Sequence, residues 1–378
     1  GDNIGDMIHG KAICFVVNLR KDRPLAKNIF YCYLVHLLMD QKPATIKEIA
    51  KRLEVSVSTV SRALHNHPSI GLRTKLQVRK LAAELHYEPN QAAISFKKGK
   101  TFTIGVILPN LGEEFFSMAI DSIEDTASKN NYTVLIGQSR DDSEREKKII
   151  ESMRKHRVDG ILISISKNTA NFEQFDELKK YKIPVVFFDR VPDGGDFYKV
   201  SCTLKQSSID MTDWLINEGH KRIGFIKGPG SMASSDERLQ GYIQGLAKNN
   251  IKVDKNLIVE TDLTKSQNES AIKKLLTLKE VPSAVITFND YVALDAMKFT
   301  KNEGYKINRD IYFASYANLP VTNYLDDPPI ASVEQFPHQQ AEKATKILFD
   351  LIESKDSIPP VDNKIVLEGK LVLHQKKK

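Results

Sequence analysis

The most specific chemistry in this chain lies in a short run of small hydroxylated side chains ending in an arginine, Val55-Ser-Val-Ser-Thr-Val-Ser-Arg62. Short polar side chains and an Arg near the start of a helix are what reading base edges in a major groove requires. Val57, Ser58, Ser61 and Arg62 are expected to point outward while Val60 packs inward. Other chemistries find little support. There is no Gly-x-Ser-x-Gly elbow, no phosphate-binding glycine loop and no cluster of metal ligands, and Gly228-Pro-Gly230 is too little for a nucleotide loop. The 9 His form no catalytic constellation. His65, His67 and His86 read as surface residues or phosphate contacts, and His220 follows a helix end, where a cation complements the dipole. The expectation is therefore no enzyme, no cofactor and no metal.

The elements that must position this run can be read around it. Thr45 with Glu48 makes a capping box, so a helix starts at about Ile46 and shows Ile46, Ile49, Ala50 and Leu53 on one face. Ser56 caps a second helix from about Val57 to Leu64, with only Glu54 to Ser56 between. So tight a turn forces a steep crossing, and the small Ala50 permits close approach. A third helix is expected from about Arg73 to Leu85, with Val78, Leu81, Ala82 and Leu85 facing the first two.

Charge follows the same division. The chain has 378 residues and a net charge of +7. Residues 42–100 hold 12 Lys/Arg against 4 Asp/Glu, residues 1–41 hold 5 against 4, and residues 101–378 hold 38 against 40. The basic excess thus sits in the helical segment, the footprint of a phosphate-binding surface. Three cysteines, Cys14, Cys32 and Cys202, argue against a disulfide framework and a zinc site, and fit a reducing compartment. No apolar run reaches the roughly 18 residues needed to span a bilayer, so no membrane partner is expected.

Thr45-Ile-Lys-Glu-Ile-Ala50, the Val55–Arg62 run and Leu85-His-Tyr-Glu-Pro-Asn90 together resemble the N-terminal motif of the lactose-repressor (LacI/GalR) family, and the resemblance extends from about Thr45 to the C-terminus. It implies that Asn90 to Lys98 is a hinge that becomes helical on operator DNA. Paired hinges of the family enter the minor groove with a Leu wedged between bases; Phe96 occupies that position here, and an apolar wedge that kinks the duplex works with Phe. The DNA-contacting set implied is Thr45, Ser56, Val57, Ser58, Thr59, Ser61, Arg62, Asn90, Ala93, Phe96 and Lys97, with Lys98 beside them. Val57, Ser58 and Arg62 would read bases; Thr45, Ser56, Ser61, Lys97 and Lys98 would bind or orient phosphates. Three residues depart from the family pattern: Glu54 where Gly is usual, Ile94 in place of a hinge Arg, and Gly71 in place of a capping Ser.

From Phe102 the pattern changes. β-rich runs at Thr103–Leu108, Thr133–Ile136, Gly160–Ser164 and Pro184–Phe188 alternate with helical stretches Phe115–Lys129, Ser143–His156 and Asn171–Lys180. A second set follows at Arg222–Ile226, Leu257–Glu260, Ser283–Thr287 and Ile311–Ala314. The expected fold is an all-α helix-turn-helix head plus an α/β effector domain of two doubly wound parallel-sheet subdomains, resembling a type I periplasmic binding protein. The expected domains are an N-terminal extension (1–42), the helix-turn-helix (43–89), the hinge (90–100) and an effector-binding and dimerisation domain (101–378). Within the last, the first subdomain is about 101–201 plus 333–360 and the second about 202–332 plus 361–378. For the extension, the expectation is that Met39 is the native start and that residues 1–38 come from an upstream start choice or a fused segment; a real extension, partly ordered at most, is the alternative.

Ligands of such sheets sit beyond the carboxyl ends of the strands. That rule selects Ser164, Asp189, Asn289, Asp290, Gln335 and the loop from Gly228 to Arg238. The family resemblance assigns effector contacts to the same positions, with Phe116 as an apolar wall. It adds one more, usually an Asp in sugar-binding members, which is Ala317 here; Asn318 is the candidate substitute. The reading is a cytoplasmic, nucleoid-associated, homodimeric repressor of carbohydrate genes that binds a palindromic operator and a small-molecule effector, a sugar or sugar derivative. A solute-binding protein of the same fold and a global regulator controlled by a protein co-effector stand as alternatives. The tail His374-Gln-Lys-Lys-Lys378 has no leucine heptad, so a coiled-coil tetramer is not expected.

Overall fold

The computed structural model describes residues 44–89, 91–192, 194–354 and 363–374. The expected N-terminal extension, Asn90 and the side chains of Phe96 and Lys97 lie outside the described residues. The chain forms two compact units, dividing between Lys97 and Lys98.

The first unit carries three helices, α1 (Ile46–Arg52), α2 (Val57–Leu64) and α3 (Leu72–Glu84). Thr45 caps α1 by accepting from Glu48 N, and Ser56 caps α2 by accepting from Thr59 N. The capping box is only half made: the Glu48 carboxylate pairs with Arg52 Nη2 at 2.7 Å, one turn on. Ile49, Ala50, Val60, Ala63, Val78 and Ala82 form the buried core, so both short helices are held by packing rather than by intrinsic helicity. A fourth helix, α4 (Gln91–Lys98), covers the expected hinge.

The three helices of the head end alike. After α1, Val55 N donates to Ala50 O (3.0 Å) and Glu54 N to Lys51 O (3.3 Å); α2 and α3 repeat the pattern through Asn66 and His86. These are Schellman closures, which place the residue after the C-cap in the left-handed region. Glu54, Asn66 and His86 stand there with φ of 53, 59 and 47°. Asn adopts that conformation at little cost; Glu adopts it at a higher one. Replacing Glu54 by Gly should stabilise the head by up to about 1 kcal/mol. Thermal melts would read this directly, and an unchanged or lower Tm would show that the Glu54 side chain supplies compensating contacts.

The second unit holds two six-stranded sheets. The first comprises β1 (Thr103–Leu108), β2 (Thr133–Gln138), β3 (Gly160–Ile163), β4 (Val185–Phe188), β5 (Tyr198–Thr203) and β11 (Lys364–Glu368), in the order β11-β5-β4-β3-β1-β2, all parallel. Helices α5 (Glu114–Lys129), α6 (Ser143–Lys155) and α7 (Glu173–Lys180) connect its strands. Ile104, Val106 and Leu108 of β1 face α5, while Ile107 faces the opposite cluster with Ile150 and Met153 of α6. Alternate residues of one buried strand thus feed two cores, as a sheet covered on both faces requires.

The second sheet comprises β6 (Ile223–Lys227), β7 (Ile258–Glu260), β8 (Ala284–Thr287), β9 (Tyr312–Ala317), β10 (Ala331–Glu334) and β12 (Lys370–Leu373), in the order β12-β10-β9-β8-β6-β7. Its helices are α8 (Lys205–Asn217), α9 (Ala233–Lys248), α10 (Lys265–Leu276) and α11 (Asp290–Asn302). The last helix, α12 (Pro337–Glu353), buries Ala341, Ala344, Ile347 and Leu348 against the first sheet.

The expected subdomain borders differ in three places. Strand β5 lies whole in the first sheet, past the border at 201. Strand β10 carries Val333 in the second sheet, so the return to the first follows Gln335. Strand β11, expected in the second subdomain, pairs with β5 of the first, and only β12 joins the second sheet, antiparallel to β10. One residue, Gly369, separates the two strands; a Cβ there would lie 2.9 Å from Ser207 Oγ and 3.0 Å from Val333 Cγ1. Reading this segment as one last strand hides the crossover; β11 alternates exposed and half-buried residues, whereas β12 does not.

Candidate DNA-reading face and ligand cleft

In the head, α2 exposes Val57, which keeps 41% of its surface, together with Ser58 and Arg62. Val60 on the same helix is fully buried, which fixes the rotation of α2 and leaves the other face to solvent. Ser61 is half-buried rather than outward, and Thr59 beside it is half-buried as well. The Ser56 hydroxyl sits 2.7 Å from Ser58 Oγ and 2.8 Å from Thr59 Oγ1 besides capping Thr59 N. Thr45 and Ser56 therefore act first as helix caps. Each hydroxyl has one hydrogen to donate, at helix N-termini that favour anions. Ala93 on α4 is exposed.

In the second unit, a cleft of about 290 Å³ opens at the carboxyl ends of both sheets. Of the expected effector residues, Phe116, Asp189, Arg238, Asn289 and Gln335 line it. Ser164 is fully buried behind them and donates from Oγ to Asp189 Oδ2 at 3.0 Å. Asp189 is left-handed (φ 59°), and its N–H donates to Val200 O and Gln340 Oε1. Burial pushes its carboxyl up, against the pull of the neighbouring Arg190 guanidinium. Arg190 in turn pairs with Asp141 (2.6 Å) and lies over the Phe116 ring.

Arg238 is the centre of the opposite wall. Only 4% of it is exposed. Nη1 donates to Phe288 O at 2.7 Å and Nη2 to Gln335 Oε1 at 3.3 Å. The guanidinium carbon lies 4.1 Å from the Phe288 ring centroid and 4.6 Å from that of Tyr316. Burial lowers its pKa to about 10, so it stays charged near neutrality. Its Nε finds no acceptor among the described residues. Helix α9 can bring it here because Gly241 crosses α8 closely: a Cβ on Gly241 would lie 2.5 Å from Lys205 O. The Gly of Glu-Arg-Leu-Gln-Gly241 thus positions the Arg three residues before it.

Two expected residues are placed otherwise. Asp290 does not reach the cleft. It is fully buried, and its carboxylate takes Ser315 Oγ, Ser332 Oγ (3.0 Å) and Leu319 N (2.6 Å). The strand-end rule found its neighbourhood, but the first residue of α11 points back under the sheet. Asn318 does not replace an acid at Ala317 either. Its Nδ2 donates to Glu334 Oε2 at 2.9 Å and its Oδ1 lies 3.0 Å from His374 Nε2, while Ala317 itself lines the cleft with φ 94°. Asn289 lines the cleft but spends Oδ1 capping α11 at Val292 N.

Residues 45–90 match the family described as bacterial regulatory proteins, lacI family, and residues 101–365 match the periplasmic binding proteins and sugar binding domain of LacI family. The chain belongs to the LacI family. The HTH-type transcriptional repressor CytR of Escherichia coli (strain K12) is 32% identical over 312 residues, covering 82% of this chain and 91% of that protein. PurR of Vibrio atlanticus, another HTH-type transcriptional repressor, is 30% identical, over 83% of this chain and 93% of its own. The Lac repressor dimer bound to operator and the anti-inducer ONPF shares the fold with a TM-score of 0.76 at 23% identity, over 88% of this chain and 98% of that one. The CelR–cellobiose complex gives 0.65 at 23% identity, over 87% and 98%. This LacI-family member is thus a DNA-binding transcriptional regulator with a ligand-responsive domain.

Tyr291 and Lys167 line the cleft of this regulator, and strand-end reasoning missed both. Tyr291 OH accepts from Glu114 N (3.1 Å) and donates to Gly112 O (3.3 Å), and Glu114 Oε2 accepts from Val321 N (2.9 Å). Across the other side, Lys167 Nζ donates to Asp262 O at 3.2 Å. These bonds tie one subdomain to the other around the cleft. No local sequence signal marks them, because partners such as Glu114 and Val321 are more than two hundred positions apart.

Proposed function

We propose that this regulator is a repressor that binds an imperfect palindrome as a homodimer and answers to a sugar or sugar derivative held in the cleft. Val57, Ser58 and Arg62 read base edges; Thr45, Ser56, Ser61, Lys97 and Lys98 bind or orient phosphates, with Thr59 in the same DNA-contacting set. Asn90, Ala93 and Phe96 belong to a hinge that orders on the minor groove, with Phe96 as the wedge. The effector closes the two subdomains on each other, and operator and effector affinities are coupled reciprocally. DNA is met in the cytoplasm.

The observation that carries the ligand half is Arg238, a buried charged donor beside Gln335, facing a cleft whose other wall holds the Asp189 carboxylate and the Phe116 ring. Ligand hydroxyls donate to the carboxylate and accept from guanidinium and amide, while a ring face packs on the aromatic wall. The repressor descriptions of CytR and PurR, and a Lac repressor structure that is a dimer on operator, support the DNA half.

The test is selection of bound duplexes from a random pool, followed by affinity against salt with and without candidate carbohydrates. A palindrome of about 14–20 base pairs centred on a deformable step is expected, with one carbohydrate class shifting its affinity. Arg238→Ala should abolish that shift while leaving operator affinity without ligand in place. No recovered motif, with one salt slope on all DNA, would sink the reading, as would a response only to a partner protein.

A further inference from the structure

His374 directly follows β12 and is half-buried between two acceptors. Its Nδ1 lies 2.7 Å from Pro329 O and its Nε2 lies 3.0 Å from Asn318 Oδ1. A carbonyl oxygen can only accept. The Asn318 amide is oriented by its other end. Nδ2 donates to Glu334 Oε2 at 2.9 Å, and the reversed amide would set two acceptors against each other there. Oδ1 is therefore an acceptor as well. A neutral imidazole has one N–H and serves one of these oxygens; only the imidazolium donates to both. The distances thus call for a proton on each ring nitrogen.

These bonds hold the parts around the cleft. Asn318 belongs to the left-handed pair Ala317 and Asn318, and Ala317 and Leu319 on either side of it line the cleft. Asn318 N also donates to Ser332 Oγ at 2.9 Å. Glu334 takes the Asn318 amide with one oxygen and Phe336 N with the other, at 2.6 Å. Phe336 is the left-handed residue (φ 57°) at which the chain leaves the second sheet for α12. Gln335, between them, accepts from Arg238 Nη2. His374 itself closes the strand that joins this sheet after Gly369. One line of hydrogen bonds, His374–Asn318–Glu334–Phe336, thus joins two crossovers between the subdomains to the lip of the cleft. The charged groups facing this corner are Asp290 at the start of α11, Glu334 on β10 and Lys370 opposite it on β12. Around the cavity that His374 also lines, Asp326 and Asp327 stand with Lys301, Lys306 and Arg309. Burial pushes the Asp290 carboxyl up while the His374 charge pulls it down, so the two are within electrostatic reach.

We propose that His374 is a positioning residue of the cleft that works as an imidazolium, and that loss of its proton loosens the lip and the crossover together. Histidine is the side chain that makes this change near neutral pH. Both bonds are made while the ring is doubly protonated, and one is lost as pH rises through the histidine range. The lip is therefore tighter in mild acid than in mild base. The device acts on the lip whichever ligand class the cleft takes.

Hydrogen exchange of the full chain, read by mass spectrometry on peptides spanning 316–322 and 334–341, tests this in wild type, His374→Arg and His374→Gln. Arg keeps a charge and several donors at every pH, whereas Gln has one donor group and no charge. Near pH 6, wild type should match His374→Arg, and both segments should exchange at least about threefold more slowly than in His374→Gln. Near pH 8.5, wild type should reach the His374→Gln level while His374→Arg stays protected. Comparing chains at one pH removes the intrinsic pH dependence of exchange. Any pH dependence that His374→Arg retains belongs to Asp290, which is intact in all three chains. Equal exchange in the three chains near pH 6 would overturn the proposal. So would a wild type that follows His374→Gln at both pH values, or one that follows His374→Arg at both, because the lip would then not depend on a titrating proton.

Discussion

Asp290→Ala is expected to lower the stability of the effector domain by about 3 kcal/mol near pH 5, a fall in Tm of roughly 6–12 °C. The carboxylate is fully buried and is the acceptor for Leu319 N and for the hydroxyls of Ser315 and Ser332. After truncation the two hydroxyls can turn to each other, since their oxygens already lie 3.3 Å apart. Leu319 N–H, just after the left-handed pair Ala317 and Asn318, loses its acceptor. That turn forms one lip of the cleft, so the loss should propagate to ligand binding as well.

Burial holds the Asp290 carboxyl above its ordinary range. The folded chain therefore binds this proton more tightly than the unfolded chain. The stabilisation is full below the ordinary carboxylate value and declines as pH rises through the raised one. The difference between wild type and Asp290→Ala should thus be larger near pH 5 than near pH 8. Denaturant titrations at the two pH values decide it. A difference under about 0.5 kcal/mol at both would mean that desolvation cancels the three bonds.

Arg62→Ala should cost about 1–3 kcal/mol on the preferred operator and relax specificity at one base position. The side chain is exposed on α2, and the head core of Ile49, Val60, Ala63 and Val78 does not use it, so the fold should be unaffected. Titration against the selected duplex and single-base variants at fixed salt separates two roles. A base reader loses affinity on the preferred site alone. A uniform loss on every duplex, with a salt slope shallower by about one, would reassign Arg62 to a phosphate.

Both predictions turn on where a side chain ends up relative to a helix start, and the two sites were not equally legible. The head was readable almost residue by residue. Thr45 and Ser56 cap their helices as their types and positions suggest, Gly71 stands at the third N-cap without a side-chain bond, and Glu54 holds the left-handed turn that its place between the helices demands. Capping, spacing and turn chemistry are local, acting over three to five residues, and so are written in consecutive letters. Most strands up to β9 were readable for a related reason, since buried parallel strands such as β3 and β8 are nearly all apolar; β5, half-buried and carrying Lys199 and Ser201, shows no such run and was not among the expected strands.

Tertiary structure alone decided the rest. Asp290, Asn318 and Ala317 sit at positions that strand-end reasoning treats alike, yet Asp290 turns under the sheet, Asn318 is taken by Glu334 and His374, and Ala317 faces the cleft. Likewise β11 and β12 part at Gly369 because each completes a different sheet edge. The sequence by itself determined the family, the reading helix and the order of elements, because these rest on short-range patterns. Which polar groups face the cleft and which are spent inside was settled by contacts between residues far apart in the chain, where burial makes every donor seek an acceptor.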